Sequence, residues 1–127
     1  MRVAAILPLL ALAGCAPVAG GDGIVSTNPC ADAIMLRLVA PSRIAAISHY
    51  SHEPGASSLP LAVARRFRAT AGTAEEAIAL KPDVVLADSF APAATLAAYR
   101  RAGLRVAVLG SPTTVAASVA QVREVAA

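Results

Sequence analysis

The chain has 127 residues, enough for one ordinary domain, and 57% of them are hydrophobic against 15% charged. Its formal net charge of +3 comes from ten scattered arginines and Lys81 set against eight acids. With aromatics at 3% and no basic stripe interleaved with them, nothing here supports a nucleic-acid-binding surface; a mildly basic, solvated exterior is the expectation. Trp is absent, so the core is expected to consist of small and branched aliphatic side chains.

The opening stretch MRVAAILPLLALAGC combines Arg2, an apolar run from Val3 to Leu12 and then small residues. The run is too short for a stable membrane-spanning helix and reads as a secretory signal over 1–14. Leu12-Ala13-Gly14-Cys15 has the form of a bacterial lipobox, in which Cys15 is lipidated and becomes the first mature residue. The expected product is an exported lipoprotein, periplasmic or at the cell surface, held to a membrane through Cys15 and a small-residue tether over 15–23. The competing reading is an ordinary signal cleaved slightly later. Lipidation leaves Cys30 as the one free thiol, so no intrachain disulfide is expected, and Cys30 reads as a small buried residue beside a loop.

From Ile24 onward, short apolar runs alternate with longer amphipathic ones. GIVST reads as a strand and NPCADAIMLRLV as a helix opening near Pro29. RIAAIS is the next strand, SSLPLAVARRF a short helical or irregular passage, and RAT a brief strand. TAEEAIAL is a helix in which Thr73 and Glu76 have capping-box spacing, and it stops before Pro82. DVVLAD is a strand, APAATLAAYRRAG a helix with Pro92 near its first turn and Gly103 as its stop, LRVAVLG a strand, and TTVAASVAQVREVAA a final helix.

This alternation predicts an α/β fold over 24–127: a doubly wound, mostly parallel sheet of four or five strands with helices on both faces. Ligands of such sheets gather at the carboxyl ends of the strands. The polar loops TNPC, SHYSHEP, TAGT, DSFAP and GSPTT all fall there.

The SHYSHEP loop holds both histidines and one of the two tyrosines. Two imidazoles and Glu53 offer donors for a transition metal, but the helical His spacing of a self-sufficient metal site is missing. No G-x-S-x-G turn or phosphate-cradling G-x-x-x-x-G-K motif is present, so a hydrolase or nucleotide enzyme has little to stand on. A Tyr- and His-bearing loop at the strand ends suits recognition of a large planar or metal-chelate ligand.

The runs IVSTNPCADAIMLRLVAPSRIAAISHYSHEP, GTAEEAIALKPDVVLAD and YRRAGLRVAVLG resemble the first lobe of the iron-siderophore and vitamin B12 (cobalamin) substrate-binding proteins of ABC importers. EAIALKPDVVLA is similar to that family's helix-then-strand passage, and SHYSHEP to the Ser-x-Tyr-Ser-x-x-Pro loop of its cobalamin-binding members. The resemblance implies the N-terminal lobe of a two-lobed binding protein, with the chain truncated before the second lobe. It implies capture of a ferric siderophore, heme or cobalamin-type ligand for an ABC permease, with no reaction performed and no cofactor.

Residue by residue, Tyr50 matches a ligand-contacting tyrosine and Pro29 the proline of the first strand-end loop. Glu75 falls where the family docks a surface glutamate onto a permease arginine. Ala71 stands where cobalamin binders carry a tryptophan, and His49 and His52 lie outside the pattern and suit heme or a ferric chelate. The expected pocket wall is Asn28, Pro29, His49, Tyr50, Ser51, His52, Ser89 and Phe90, with Tyr50 stacking on the ligand. The competing readings are a zinc-binding or hydrolytic enzyme using His49, His52 and Glu53, and a nonfunctional truncated product.

Overall fold

The computed structural model describes residues 23–127; the signal, the Cys15 lipobox and nearly all of the tether lie outside the described residues. Five strands form one sheet: β1 Ile24–Ser26, β2 Ile44–Ser48, β3 Ala69–Thr70, β4 Val84–Asp88 and β5 Arg105–Leu109. All paired strands run parallel, in the order β3-β2-β1-β4-β5. The chain thus builds outward from β1 to β3, then returns to lay β4 against the other side of β1. The junction of β1 and β4 is where crossovers change face, the place at which an open α/β sheet leaves a crevice.

Side chains alternate along the strands and feed two cores, one on each face. Ile24, Ile47, Leu86 and Leu109 pack with Ala31 and Met35 of α1 (Pro29–Leu38), Ala64 of α2 (Leu61–Ala64) and Val125 of α5 (Val115–Ala126). Val25, Ala46 and Val85 pack on the opposite face with Ala77 of α3 (Ala74–Ala79) and with Leu96 and Tyr99 of α4 (Ala93–Arg101). The expectation of a core without large side chains is corrected here. Tyr99 and Met35 are the largest fully buried residues, Met35 in the core beneath α1 and Tyr99 in the core beneath α3 and α4.

Local chemistry explains the helix boundaries. Asn28 caps α1, its Oδ1 accepting from the Cys30 and Ala31 N–H groups at 2.8 and 3.4 Å, with Pro29 pre-set for the first turn. Thr73 caps α3 by accepting from the Glu76 N–H at 3.2 Å. The reciprocal half of the expected capping box does not form. Glu76 instead accepts from the Thr70 hydroxyl at 2.7 Å and the Ala71 N–H at 2.8 Å, which ties α3 to the end of β3 and holds its carboxyl below the usual range. Among the described residues no helix is long and apolar enough to cross a membrane.

Candidate binding site

Because every strand runs the same way, the loops after β1 to β5 open on one edge of the sheet. Loops after β2 and β4 are separated by the single strand β1, so their roots stand about 10 Å apart. Each presents one exposed ring: Tyr50 at 49% and Phe90 at 81% exposure. Apolar rings left this open at the crevice of a doubly wound sheet form a surface suited to a broad, flat ligand.

The loop after β2 is a 3-10 turn, His49–His52, capped by Ser48, whose Oγ accepts from the Tyr50 N–H at 3.3 Å. The His49 Nδ1–H donates to the Thr70 carbonyl at 3.3 Å, and the His52 Nε2–H donates to the Ala64 carbonyl at 3.0 Å. Carbonyl oxygens only accept, so these contacts set which ring nitrogen carries hydrogen in each histidine. The His49 ring lies against the Tyr50 ring with centroids 4.1 Å apart and planes tilted by 35°, which backs the exposed phenol with a second flat surface. On the β4 side, the Phe90 N–H donates to Asp88 Oδ1 at 2.7 Å and the Ser89 N–H donates to the Leu109 carbonyl at 3.0 Å. The Phe90 backbone is therefore fixed although its ring is free.

The third loop is held close to the first. Gly72 has φ +73°, and a Cβ there would stand 2.9 Å from Thr27 Cγ2, so both the backbone angle and the close approach require glycine. The Tyr99 hydroxyl reaches across the sheet edge to donate to the Gly72 carbonyl at 2.5 Å. Ala71 beside it is exposed.

The expected pocket wall is thus divided by the structure. His49, Tyr50, His52, Ser89, Phe90 and Pro29 reach the carboxyl edge with at least part of their surface open. Asn28 and Ser51 do not: both are buried, Asn28 committed to capping α1 and Ser51 donating to Asp32 Oδ2 at 2.6 Å. Cys30 corrects an expectation in the other direction, being exposed at the start of α1 because its neighbour Ala31 takes the core-facing position. Of the three residues in the zinc or hydrolase reading, Glu53 is exposed, and His49 and His52 each use one ring nitrogen on a backbone carbonyl, Thr70 for the first and Ala64 for the second. Among the described residues no three His, Cys, Asp or Glu side chains gather as metal donors.

One member of the site escaped the sequence reading. Asp32, in the first turn of α1, is fully buried behind the Tyr50 loop. Its Oδ2 accepts from the Ser51 hydroxyl and, at 3.0 Å, from the Ser48 N–H. Its Oδ1 has no hydrogen-bond partner among the described residues. Burial pushes the carboxyl up to about 6, against the opposing pull of Ser26, Ser51, the Ser48 N–H and the His52 charge. A signal was present: Asp32 is three residues before Met35, on the apolar stripe of α1, where an acid must be buried with the stripe.

No protein-family model matches the sequence, and no curated protein matches it at a significant level. Solved structures do share the fold. The periplasmic heme-binding protein RhuT from Roseiflexus sp. RS-1, in apo form, superposes with a TM-score of 0.68 at 24% identity, covering 84% of this chain and 40% of that one. A periplasmic heme-binding protein from Pseudomonas aeruginosa gives 0.64 at 18% identity, covering 83% and 37%. The periplasmic vitamin B12 binding protein BtuF of Vibrio cholerae gives 0.64 at 21%, covering 84% and 40%. The chain therefore has the α/β fold found in these periplasmic binding proteins and spans about two fifths of their length.

Proposed function

We propose that this chain is the N-terminal lobe of a substrate-binding component of an ABC importer, and that it captures a ferric siderophore, heme or cobalamin-type ligand. The observation that carries this reading is the pair of exposed rings, Tyr50 backed by His49 and Phe90, flanking the β1–β4 crevice. Heme and vitamin B12, the ligands of the structural neighbours, are large flat metal chelates of the kind such rings stack upon. Ala71 in place of a bulky ring, together with two histidines on the Tyr50 loop, favours heme or a ferric chelate over a corrinoid. One lobe supplies half of a cleft, so its affinity falls well below that of a closed two-lobed pocket.

Titration of the chain with hemin and with cyanocobalamin, followed by absorbance, tests the reading. Hemin should bind, and Tyr50→Ala should weaken it by about tenfold, the loss usual for a truncated aromatic anchor. An affinity indifferent to both Tyr50→Ala and Phe90→Ala would remove this edge as the binding site.

Docking to a permease and anchoring to a membrane belong to the same proposal. Two adjacent acids open α3, and their situations differ. Glu76 is spent on Thr70 and Ala71, whereas Glu75 is exposed and has no partner among the described residues. Glu75 is the acid with its charge to spare for a permease arginine, even as it favours the helix N-terminus. In cells, Glu75→Arg should stop uptake while leaving the chain on the membrane with ligand affinity unchanged. Cys15→Ser should instead release the chain from the membrane. Uptake that survives Glu75→Arg would place docking elsewhere.

A further inference from the structure

We infer that Asp32 is a positioning residue for the binding loop: its buried carboxylate holds the Ser48–His52 turn from behind and so sets where Tyr50 stands. The ligand readout of this inference rests on the function proposed above; its geometry does not. Oδ2 takes one donor from each side of Tyr50, the Ser48 N–H two residues before it and the Ser51 hydroxyl one residue after it. The Ser48 hydroxyl then accepts from Tyr50's own N–H, and the two flanking imidazoles tie the outside of the turn to Thr70 and Ala64. Ser51 also approaches Ser57 Oγ at 3.3 Å, linking the turn to the segment that follows it. The backbone of Tyr50 is thus pinned at each neighbour while its ring stays half exposed.

Stability alone does not explain an acid at this position. The carboxylate is fully buried on an otherwise apolar stripe, where a leucine of similar size would pack beside Met35. Among the described residues it has no salt-bridge partner; there His52, on the turn itself, is the ionisable group that bears on it, and its polar neighbours Ser26, Ser48 and Ser51 do not titrate. What the acid gains over leucine is two accepted hydrogen bonds, and both lie on the ligand-bearing turn.

The test uses the full chain as wild type, Asp32→Asn, Asp32→Leu and Ser51→Ala, with hemin as the probe. An asparagine oxygen can keep both acceptor places, so Asp32→Asn should bind hemin within about threefold of wild type. Asp32→Leu leaves the Ser48 N–H without its acceptor and the Ser51 hydroxyl with only the longer contact to Ser57, and should bind about tenfold more weakly or worse. A folded Asp32→Leu chain with wild-type affinity overturns the inference. Should that variant not fold, Ser51→Ala decides, with a loss of about threefold or more expected and no loss overturning it. The Ser48 amide resonance, followed without ligand, should titrate with Asp32 in weakly acidic solution and lose that titration in Asp32→Asn, which retains both histidines. A Ser48 amide blind to Asp32 overturns the inference whatever hemin does. A wild-type chain that binds no hemin but shows the Ser48 titration overturns the ligand reading and sustains this one.

Discussion

Truncating Tyr99 to alanine should lower the stability of the fold by about 3–5 kcal/mol, the range for removing a buried aromatic ring. Tyr99 is the largest fully buried side chain and joins α4 to Val25, Ala46, Val85 and Ala77 in the core beneath α3 and α4. The alanines around it, Ala46 and Ala77, have little side chain with which to fill the gap, so any closing falls to the valines and to the leucines at its margin. Tyr99→Phe separates the two roles of the residue: the ring stays and only the hydrogen bond to the Gly72 carbonyl goes, at about 1 kcal/mol. Burial, followed by the Glu76 and Glu75 charges, pushes the phenol up, which keeps the hydroxyl protonated and donating at neutral pH. Urea unfolding of both variants checks this. An alanine variant within about 1 kcal/mol of wild type would mean the core collapses around the gap, and a phenylalanine variant as weak as alanine would shift the whole effect to the Gly72 contact. Domains of this size hold about 5–15 kcal/mol in all, so the alanine variant should lose a large fraction of the total.

The architecture was legible because parallel strands buried on both faces read as unbroken apolar runs. Ile24–Ser26, Ile44–Ser48, Val84–Asp88 and Arg105–Leu109 all stand where such runs occur, and even the two-residue β3 lies within RAT. The position of SHYSHEP at the carboxyl edge followed from that alternation alone. What remained illegible was the direction of individual side chains. Asn28, Ser51 and Tyr50 are all polar residues of strand-end loops, and no pattern distinguishes a cap, an inward hydroxyl and an outward ring. Cys30 and Ala31 are neighbours in the first turn of α1, and only the helix phase decides which one enters the core. Glu76 illustrates a further limit. Its spacing from Thr73 is that of a capping box, yet the Thr70 hydroxyl at the end of β3, six residues away and outside the helix, holds its carboxylate instead.

Asp32 should make the stability of this fold depend on pH in the sense opposite to that of an ordinary paired carboxylate. Burial raises its folded-state value from 3.8 to about 6, so the folded chain holds the proton more tightly than the unfolded chain does. The benefit is fully present below pH 3.8 and is lost as pH rises through about 6. The gap between those values corresponds to about 3 kcal/mol. Asp32→Asn carries no such titration and keeps every other ionisable group of the chain, His52 included. The stability of wild type relative to Asp32→Asn should therefore fall by about 3 kcal/mol between pH 3.8 and pH 7.5, with most of the change below pH 6. Denaturant unfolding of the two chains at several pH values measures it. A flat difference would mean that the Ser48 and Ser51 hydrogen bonds balance burial, and one that grows in favour of wild type at neutral pH that they outweigh it. The expected sign has a functional consequence: at neutral pH the fold keeps a charge that weakens it, and the two donors that charge organises are those on either side of Tyr50.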